Sequence, residues 1–435
     1  MINSDKISEY LMIPGVTSSL ATWLTYLNHQ HSKIIDMGLE RVGVVARRLD
    51  LLSPAPKVVT VAGTNGKGTT CHVLASILIQ AGLKVGVYSS PHLLDYTERV
   101  MIQGHMLSEA DFCQVFAYIE SKRGATTLTY FEYGTLAALH LFKQAKLDIV
   151  ILEVGLGGRL DATNIVDADI AAITSIALDH IDWLGDDREQ IGYEKAGIFR
   201  SGCYAVIGES DIPKSVNDIA QVIGAKLFCC GKDWQFESQK NHWHWQSNNQ
   251  YFKQLPLPNV PLANAATALA VIDCLIKQGD SISQAISLQA IHQGLIKSKL
   301  PGRFQIICEE PFIILDVAHN PHAAAYLAAR LAGLPRKKNT KVYAVVAMLA
   351  NKDIKKTLSH LTLQIDKWYL ASLSGIGGAD AAQLAQYVKS SYQFASIKDA
   401  WLQAMAEANK HDIVLVYGSF HTVAEVMKLQ KKRES

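Results

Sequence analysis

Net charge is nearly absent: 42 Lys and Arg against 40 Asp and Glu leave +2 over 435 residues. That balance gives no bulk attraction to a polyanion or to an anionic membrane surface, so neither nucleic acid nor membrane is expected as a partner. An anionic ligand must instead be held locally. Cysteine is scarce and unpatterned, seven in all, with one adjacent pair at Cys229 and Cys230 and no Cys-x-x-Cys. An odd, scattered set argues against a disulfide framework and reads as reduced thiols in a cytoplasmic setting. No apolar run approaches the roughly 20 residues of a membrane helix. The opening "MINSDKISEY" is charged and lacks an apolar core, so it does not read as a secretory signal. Internal repeats and low-complexity tracts are missing as well. What remains is a cytoplasmic globular protein, and an apolar fraction of 49% over this length predicts two or three well-buried domains.

What is present is alternation of strand and helix. Most of the runs at 57–61, 84–89, 148–154, 170–175 and 203–207 are continuously apolar rather than alternating. Strands buried on both faces of a parallel sheet read this way. Helical spacing fills 69–81, 108–120 and 134–144 between them. The pattern predicts an α/β protein whose N-terminal domain, over 1–299, is a doubly wound, mostly parallel sheet. Residues 226–258 turn short, aromatic and alternating, which predicts a small β-hairpin appendage. A smaller, Rossmann-like C-terminal α/β domain is expected over 300–435, where "FIILDVAHNP", "KVYAVVAML", "KWYLASL" and "DIVLVYGS" are strand-like. The polar "KSKLPGR" at 297–303 marks the boundary.

Ligands of open α/β sheets sit beyond the carboxyl ends of the strands, so the residues there carry the chemistry. The first such end is "VVTVAGTNGKGTT" at 58–70, the grammar of a phosphate-binding loop. It departs from the standard rule of glycine, four spacers and Gly-Lys-Ser/Thr. Only Thr64 and Asn65 separate Gly63 from Gly66, and Gly68 stands where a hydroxyl residue should follow Lys67. Successive amides opening onto a helix N-terminus still form an anion cradle, and Lys67 can reach terminal phosphates. Thr69 or Thr70 could offer a metal-binding hydroxyl. The competing reading, a tight turn with an incidental lysine, fits three glycines, Lys and Thr-Thr less well.

The other strand ends are more equivocal singly. Ser89 and Ser90 read as hydroxyl metal ligands or as an ordinary turn fixed by Pro91. Glu153 ends "DIVILE" as the acid of a Walker-B strand does, and could bind Mg²⁺. The following "GLGGRLDA" fails the dinucleotide fingerprint, since the sixth position is Leu160, so a dehydrogenase is not expected. Asp179 and His180 follow another buried strand. A histidine there is a structural residue or a ligand, although Mg²⁺ prefers oxygen. The alternating "HWHW" puts His242 and His244 on one strand face, read as exposed hairpin rather than as metal site. In the second domain Arg303, Asp316, His319, Asn320, Ser419 and His421 lie in the linker or at strand ends, so that domain also faces a ligand.

Taken together, "GTNGKGTT", "SSPHLLDYTERV", "TYFEYGTLAALHLF", "EVGLGGRLDATN", "SIALDHIDWLG", "EKAGIFR", "PGRFQ", "DVAHNPHAA" and "YGSFHT" resemble, in order, the folylpolyglutamate synthase/dihydrofolate synthase family. These are Mur-ligase-like, ATP-dependent amide ligases, and the resemblance runs from about residue 20 almost to the C-terminus. It implies both activities of the bifunctional bacterial enzymes: L-glutamate is added to 7,8-dihydropteroate and to tetrahydrofolates through an acyl phosphate. Thr64, Asn65, Gly66 and Lys67 would cradle ATP phosphates, with Asn264, Arg303 and Asp316 as further nucleotide contacts. Ser90, Glu153 and His180 would hold Mg²⁺. Lys195 matches a carbamylated lysine that helps hold a second Mg²⁺, and a monovalent cation completes the implied ions. Catalytic roles fall on Lys67, Lys195 and His319. The substrates would be met at His29, Gln30 and His31, at Thr129, Tyr130, Phe131 and Glu132, at Leu160, Asp161 and Ala162, and at Ser419. A monomer is implied, and a closing motion of the C-terminal domain.

Two other readings compete. A Mur-type ligase acting on a UDP-linked peptide shares the chemistry, but Gly68, "TYFEYGT" and "SSPHLLDYTERV" argue against it. A nucleotide-dependent switch needs no second α/β domain carrying Asp316, His319 and Ser419.

Overall fold

A computed structural model describes residues 12–33, 35–375 and 377–434. The charged N-terminal decapeptide lies outside the described residues. The chain divides after Ser298 into two compact units. The fold is the expected α/β one.

The first unit is built on eight strands: β1 (Lys57–Ala62), β2 (Val85–Tyr88), β3 (Val100–Ile102), β4 (His105–Met106), β5 (Ile149–Glu153), β6 (Ile170–Ile173), β7 (Tyr204–Ile207) and β8 (Lys226–Cys229). Their order across the sheet is β4-β3-β2-β5-β1-β6-β7-β8. The strands from β2 across to β8 run parallel, while β3 and β4 extend one edge antiparallel. β5 and β6 are buried at every position, which is why their sequences run apolar without alternation. From β1 the chain passes to one side for β2 and β5, then to the other for β6. β1 therefore has β5 and β6 as neighbours, with Val61 beside Glu153 and Ala62 beside Ile173. The topological switch thus falls where β1, β5 and β6 end, and a crevice for ligands opens there.

Helix Lys67–Gln80 follows β1 at once, starting two residues earlier than the periodicity predicts because Gly66 caps it in the left-handed region (φ 87°). It is buried on most sides, including Thr69, Thr70, Val73, Leu74, Ile77 and Leu78. Helix Leu288–Lys297 crosses it at Gly294, whose absent β-carbon would lie 2.5 Å from the Ile77 Cα. Ser76 Oγ donates to the Gly294 carbonyl at 2.8 Å and fastens the same crossing.

The appendage differs from expectation. Residues 226–229 add the eighth strand to the main sheet, and β9 (Trp234–Ser238), β10 (His242–Ser247) and β11 (Tyr251–Pro256) form a three-stranded antiparallel sheet rather than a hairpin. Trp234, Trp243 and Trp245 are its buried face, and their indole N–H groups donate to the carbonyls of Phe228, Pro256 and Ala266. His242 and His244 share the opposite, half-exposed face. His244 accepts the Gln254 amide through Nδ1.

The second unit is a six-stranded sheet in the order β12-β13-β17-β14-β15-β16. The strands are β12 (Gln305–Glu309), β13 (Phe312–Leu315), β14 (Val342–Val346), β15 (Lys367–Ala371), β16 (Ser391–Phe394) and β17 (Ile413–Tyr417). Only β12 is antiparallel to its neighbour. All seven cysteines are free thiols, and no described helix is long and apolar enough to cross a membrane.

The Gly294 crossing yields a test of how the phosphate loop is held. Gly294→Ala forces a β-carbon against backbone that cannot yield cheaply, and overpacking of this kind costs about 1–3 kcal/mol. Urea unfolding should show that loss, whereas a change within about 0.5 kcal/mol, as at an ordinary surface position, would contradict the close packing.

Candidate active site

The loop between β1 and its helix is tied to the end of β6. Thr64 N–H donates to the Ser175 carbonyl at 2.8 Å, and Thr64 Oγ1 donates to the Ala177 carbonyl at 3.0 Å. Asn65 N–H donates to Ser175 Oγ at 3.1 Å, and Thr174 Oγ1 donates back to the Asn65 carbonyl at 2.6 Å. These bonds consume the Thr64 and Asn65 amides in shaping the turn. The anion-binding end is therefore the first turn of the helix beyond Gly66, whose amides have no preceding turn to bond. Lys67 folds over the loop, its Nζ donating to the Gly63 carbonyl at 2.9 Å. The Asn264 side chain closes the other side: a β-carbon on Gly66 would meet its Oδ1 at 2.3 Å.

Glu153 ends β5 with only 5% of its surface exposed. Its Oε2 accepts the Ser90 amide at 3.1 Å, which joins two of the expected metal ligands. The carboxylate also faces Gly68, where a β-carbon would stand 3.3 Å from Oε2 and 3.4 Å from Oε1. The glycine that breaks the standard consensus is thus the residue that makes room for the acid. Mg²⁺ in nucleotide sites is held through one or two carboxylates plus substrate phosphates and water. A buried carboxylate beside a helix N-terminus and a serine fits that requirement. Among the described residues no three His, Cys, Asp or Glu cluster as a protein-only metal site.

His180 lies elsewhere in character. It is exposed, adopts the left-handed conformation (φ 53°) at the start of the short helix Ile181–Leu184, and its amide donates to Asp179 Oδ1. Lys195 is buried (3% exposed) in helix Arg188–Ala196. Burial lowers its ammonium to about 7, and the charge of Lys67 pushes the same way against Asp179 and Asp161. A substantial share of Lys195 is therefore a neutral amine near pH 7, which distinguishes it from an ordinary helix lysine.

Two of the three segments expected to meet the pterin substrate are joined by one polar network. His31 bonds Thr127 Oγ1 through Nδ1 and Asp36 Oδ2 through Nε2, both at 3.0 Å. Arg41 links Asp36 (2.8 Å) to Glu132 Oε1 (3.1 Å). Glu132 Oε2 in turn accepts the Thr129 amide at 2.7 Å, and Thr129 Oγ1 accepts the Glu132 amide, a capping box opening helix Tyr130–Ala145. Gln30 Oε1 accepts from Arg123, while His29 is exposed and bonds its own helix at the Thr25 carbonyl. Tyr130 and Phe131 are half-buried. Asp161 is spent on its own loop, accepting from the Gly155, Leu156 and Thr163 amides and from Thr163 Oγ1. It organises the turn that carries Leu160 and Ala162.

In the second unit the ends of β13, β17 and β14 meet. Asp316 accepts the Phe304 and Ala318 amides, both at 2.8 Å, and burial raises its carboxyl despite the charge of Arg303. Arg303 lies over the Phe420 ring. His319 Nδ1 donates to the Val317 carbonyl at 2.8 Å. Ser419 is buried, with its hydroxyl bonded to Thr422 Oγ1 (2.6 Å) and accepting the Thr422 amide, so it starts helix Phe420–Glu434.

Known proteins share this fold. A model of the Mur ligase middle domain matches residues 61–272, and one of the Mur ligase glutamate ligase domain matches 302–420. The dihydrofolate synthase/folylpolyglutamate synthase of Escherichia coli (strain K12) is 56% identical over 422 residues, 97% of this chain and 98% of the relative. The chain belongs to the dihydrofolate synthase/folylpolyglutamate synthase family. It is an ATP-dependent ligase whose likeness to the Mur ligases is one of superfamily only, so the reading as a ligase of a UDP-linked peptide and the nucleotide-switch reading both fall away. Solved structures agree. That of E. coli FolC in complex with DHPP and ADP has a TM-score of 0.94 at 56% identity, covering 97% of this chain and 100% of that one. That of the Yersinia pestis bifunctional enzyme complexed with AMPPNP and Mn ion has a TM-score of 0.91 at 60% identity, again over 97% and 100%.

Asp36 and Arg41 escaped sequence reading, because Arg41 gains its role from Glu132, 91 residues away, and nothing in the local pattern marks that link. The depressed Lys195 is equally invisible in "EKAGIFR". It supplies a pH test. The folded pKa lies below the unfolded one, so lysine's stability cost is complete below about pH 7 and fades as pH rises towards 10.5. In buffer freed of carbon dioxide, Lys195→Met should be more stable than the parent at pH 6, by up to about 5 kcal/mol. The gain should shrink towards pH 10, and an equal gain at both pH values in urea unfolding would contradict a depressed Lys195.

Proposed function

We propose that this chain uses ATP to add L-glutamate to 7,8-dihydropteroate and to the glutamate tail of tetrahydrofolates. The observation carrying this reading is the meeting of the Gly66–Lys67 helix terminus with the buried Glu153 carboxylate, which fits a metal–nucleotide phosphate. In the reaction an acceptor carboxylate oxygen attacks the γ-phosphorus of ATP and ADP leaves. The glutamate amine then attacks the acyl carbon and loses a proton, and phosphate departs as the amide forms.

The residue roles are those that the family resemblance implies. The first-turn amides of helix Lys67–Gln80 receive phosphate oxygens, and the Lys67 ammonium moves from the Gly63 carbonyl to the transferring group. Thr64 and Asn65 shape the turn, while Asn264 closes it and contacts the nucleotide. Ser90, Glu153 and His180 would hold Mg²⁺, which supplies charge neutralisation on the phosphoryl group. The neutral Lys195 amine can add carbon dioxide, and the nearby Lys67 charge would favour the resulting carbamate, a carboxylate for a second Mg²⁺. A monovalent cation completes the ions. The pterin end is received by His29, Gln30 and His31, by Thr129 to Glu132, and by the turn at Leu160, Asp161 and Ala162. Arg303 and Asp316 contact nucleotide, with His319 and Ser419 at the glutamate side. Unpaired cysteines support a cytoplasmic enzyme, which we take to act as a monomer.

Purified protein with Mg²⁺-ATP should release phosphate only when dihydropteroate, or tetrahydrofolate, and L-glutamate are both present. Release indifferent to glutamate would remove this reading.

A further inference from the structure

Arg99 stands apart among the half-buried arginines of the first unit. Arg41, Arg123, Arg159, Arg188 and Arg200 each pair with a carboxylate. Arg99 pairs with none among the described residues. Its Nε donates to His92 Nδ1 at 3.0 Å, and its guanidinium lies over the Tyr96 ring at 5.3 Å and the Tyr130 ring at 5.5 Å. Its guanidinium also hydrogen-bonds the buried Tyr88 hydroxyl, on which its charge acts as well. An aromatic cage holds a planar cation well but leaves its remaining N–H donors without an anion. A carboxylate is the ligand whose geometry matches that fork.

The position says which carboxylate. The Arg99 carbonyl accepts the Ser89 amide at 2.9 Å, one residue from Ser90 and so beside the Glu153 corner. Tyr130 and Phe131, on its other side, are expected acceptor contacts, and Phe131 packs 5.9 Å from Tyr88. The carboxylate that becomes the acyl phosphate is served by Lys67 and the metal corner. Dihydropteroate has only that one. A tetrahydrofolate ends in glutamate and has a second, which stays charged through the reaction and needs its own cation. We propose that Arg99 binds this non-reacting carboxylate and so adapts one site to the second of the two acceptors. The inference rests on the function proposed above.

Steady-state kinetics with each acceptor, at saturating ATP and L-glutamate, test it. Arg99→Gln should raise KM for tetrahydrofolate about 10- to 100-fold, the range of a lost charged hydrogen bond. The ratio of kcat/KM for tetrahydrofolate to that for dihydropteroate should fall at least tenfold, and Arg99→Lys should restore part of it. An unchanged ratio, whether both reactions fall together or neither falls, would overturn the role of Arg99. Absence of glutamate-dependent turnover in the parent enzyme would overturn the proposed function along with it.

Discussion

The site depends on the close approach of a glycine and an acid. Gly68, in the first turn of the helix after β1, lets the Glu153 carboxylate at the end of β5 lie where a β-carbon would crowd it at 3.3–3.4 Å. The parallel pairing of Val61 with Glu153 brings the two together, and β1 obtains that neighbour only because the chain doubles back to insert β5. The pinning of the helix by Gly294 and Ser76 then fixes how far its N-terminus stands from the acid. On the function proposed above, the helix amides would receive a phosphate group and Glu153 a cation close beside it.

Charge is distributed around that contact with little to spare. Lys67 carries the positive charge at the loop, and its presence, added to burial, keeps Lys195 from holding a proton firmly. A buried ammonium beside another ammonium is unfavourable, and the fold relieves it by letting Lys195 be neutral. The acids nearby are committed elsewhere: Asp161 to its own turn, and Asp36 and Glu132 to Arg41. Arg99, unlike the other half-buried arginines of the first unit, has no carboxylate partner among the described residues.

Much of this was legible in the sequence, for physical reasons. Strands buried on both faces must be apolar throughout, so the parallel strands of both units showed as continuous runs. The glycines and Lys67 showed because a strand, a tight turn and a helix have distinct compositions. Edge elements did not show: β3, β4, β12 and β16 are short and half-polar, and "KLFC" at 226–229 joined the sheet edge instead of the aromatic appendage. Within the site, Gly68 could be seen as a departure but not explained, since its reason is a side chain from a distant strand. The Asp36–Arg41–Glu132 chain and the lowered proton affinity of Lys195 depend on the packed surroundings, which no local pattern encodes.

The central claim is that Gly68 exists to admit Glu153. Restoring the standard consensus with Gly68→Ser puts a β-carbon 3.3–3.4 Å from both Glu153 carboxylate oxygens, with a hydroxyl beyond it, so that the acid must shift. Titration calorimetry of Mg²⁺-ADP binding to the parent and variant is the direct measurement. A loss of at least tenfold in affinity, about 1.4 kcal/mol, is the expected result. Equal affinity would contradict the claim.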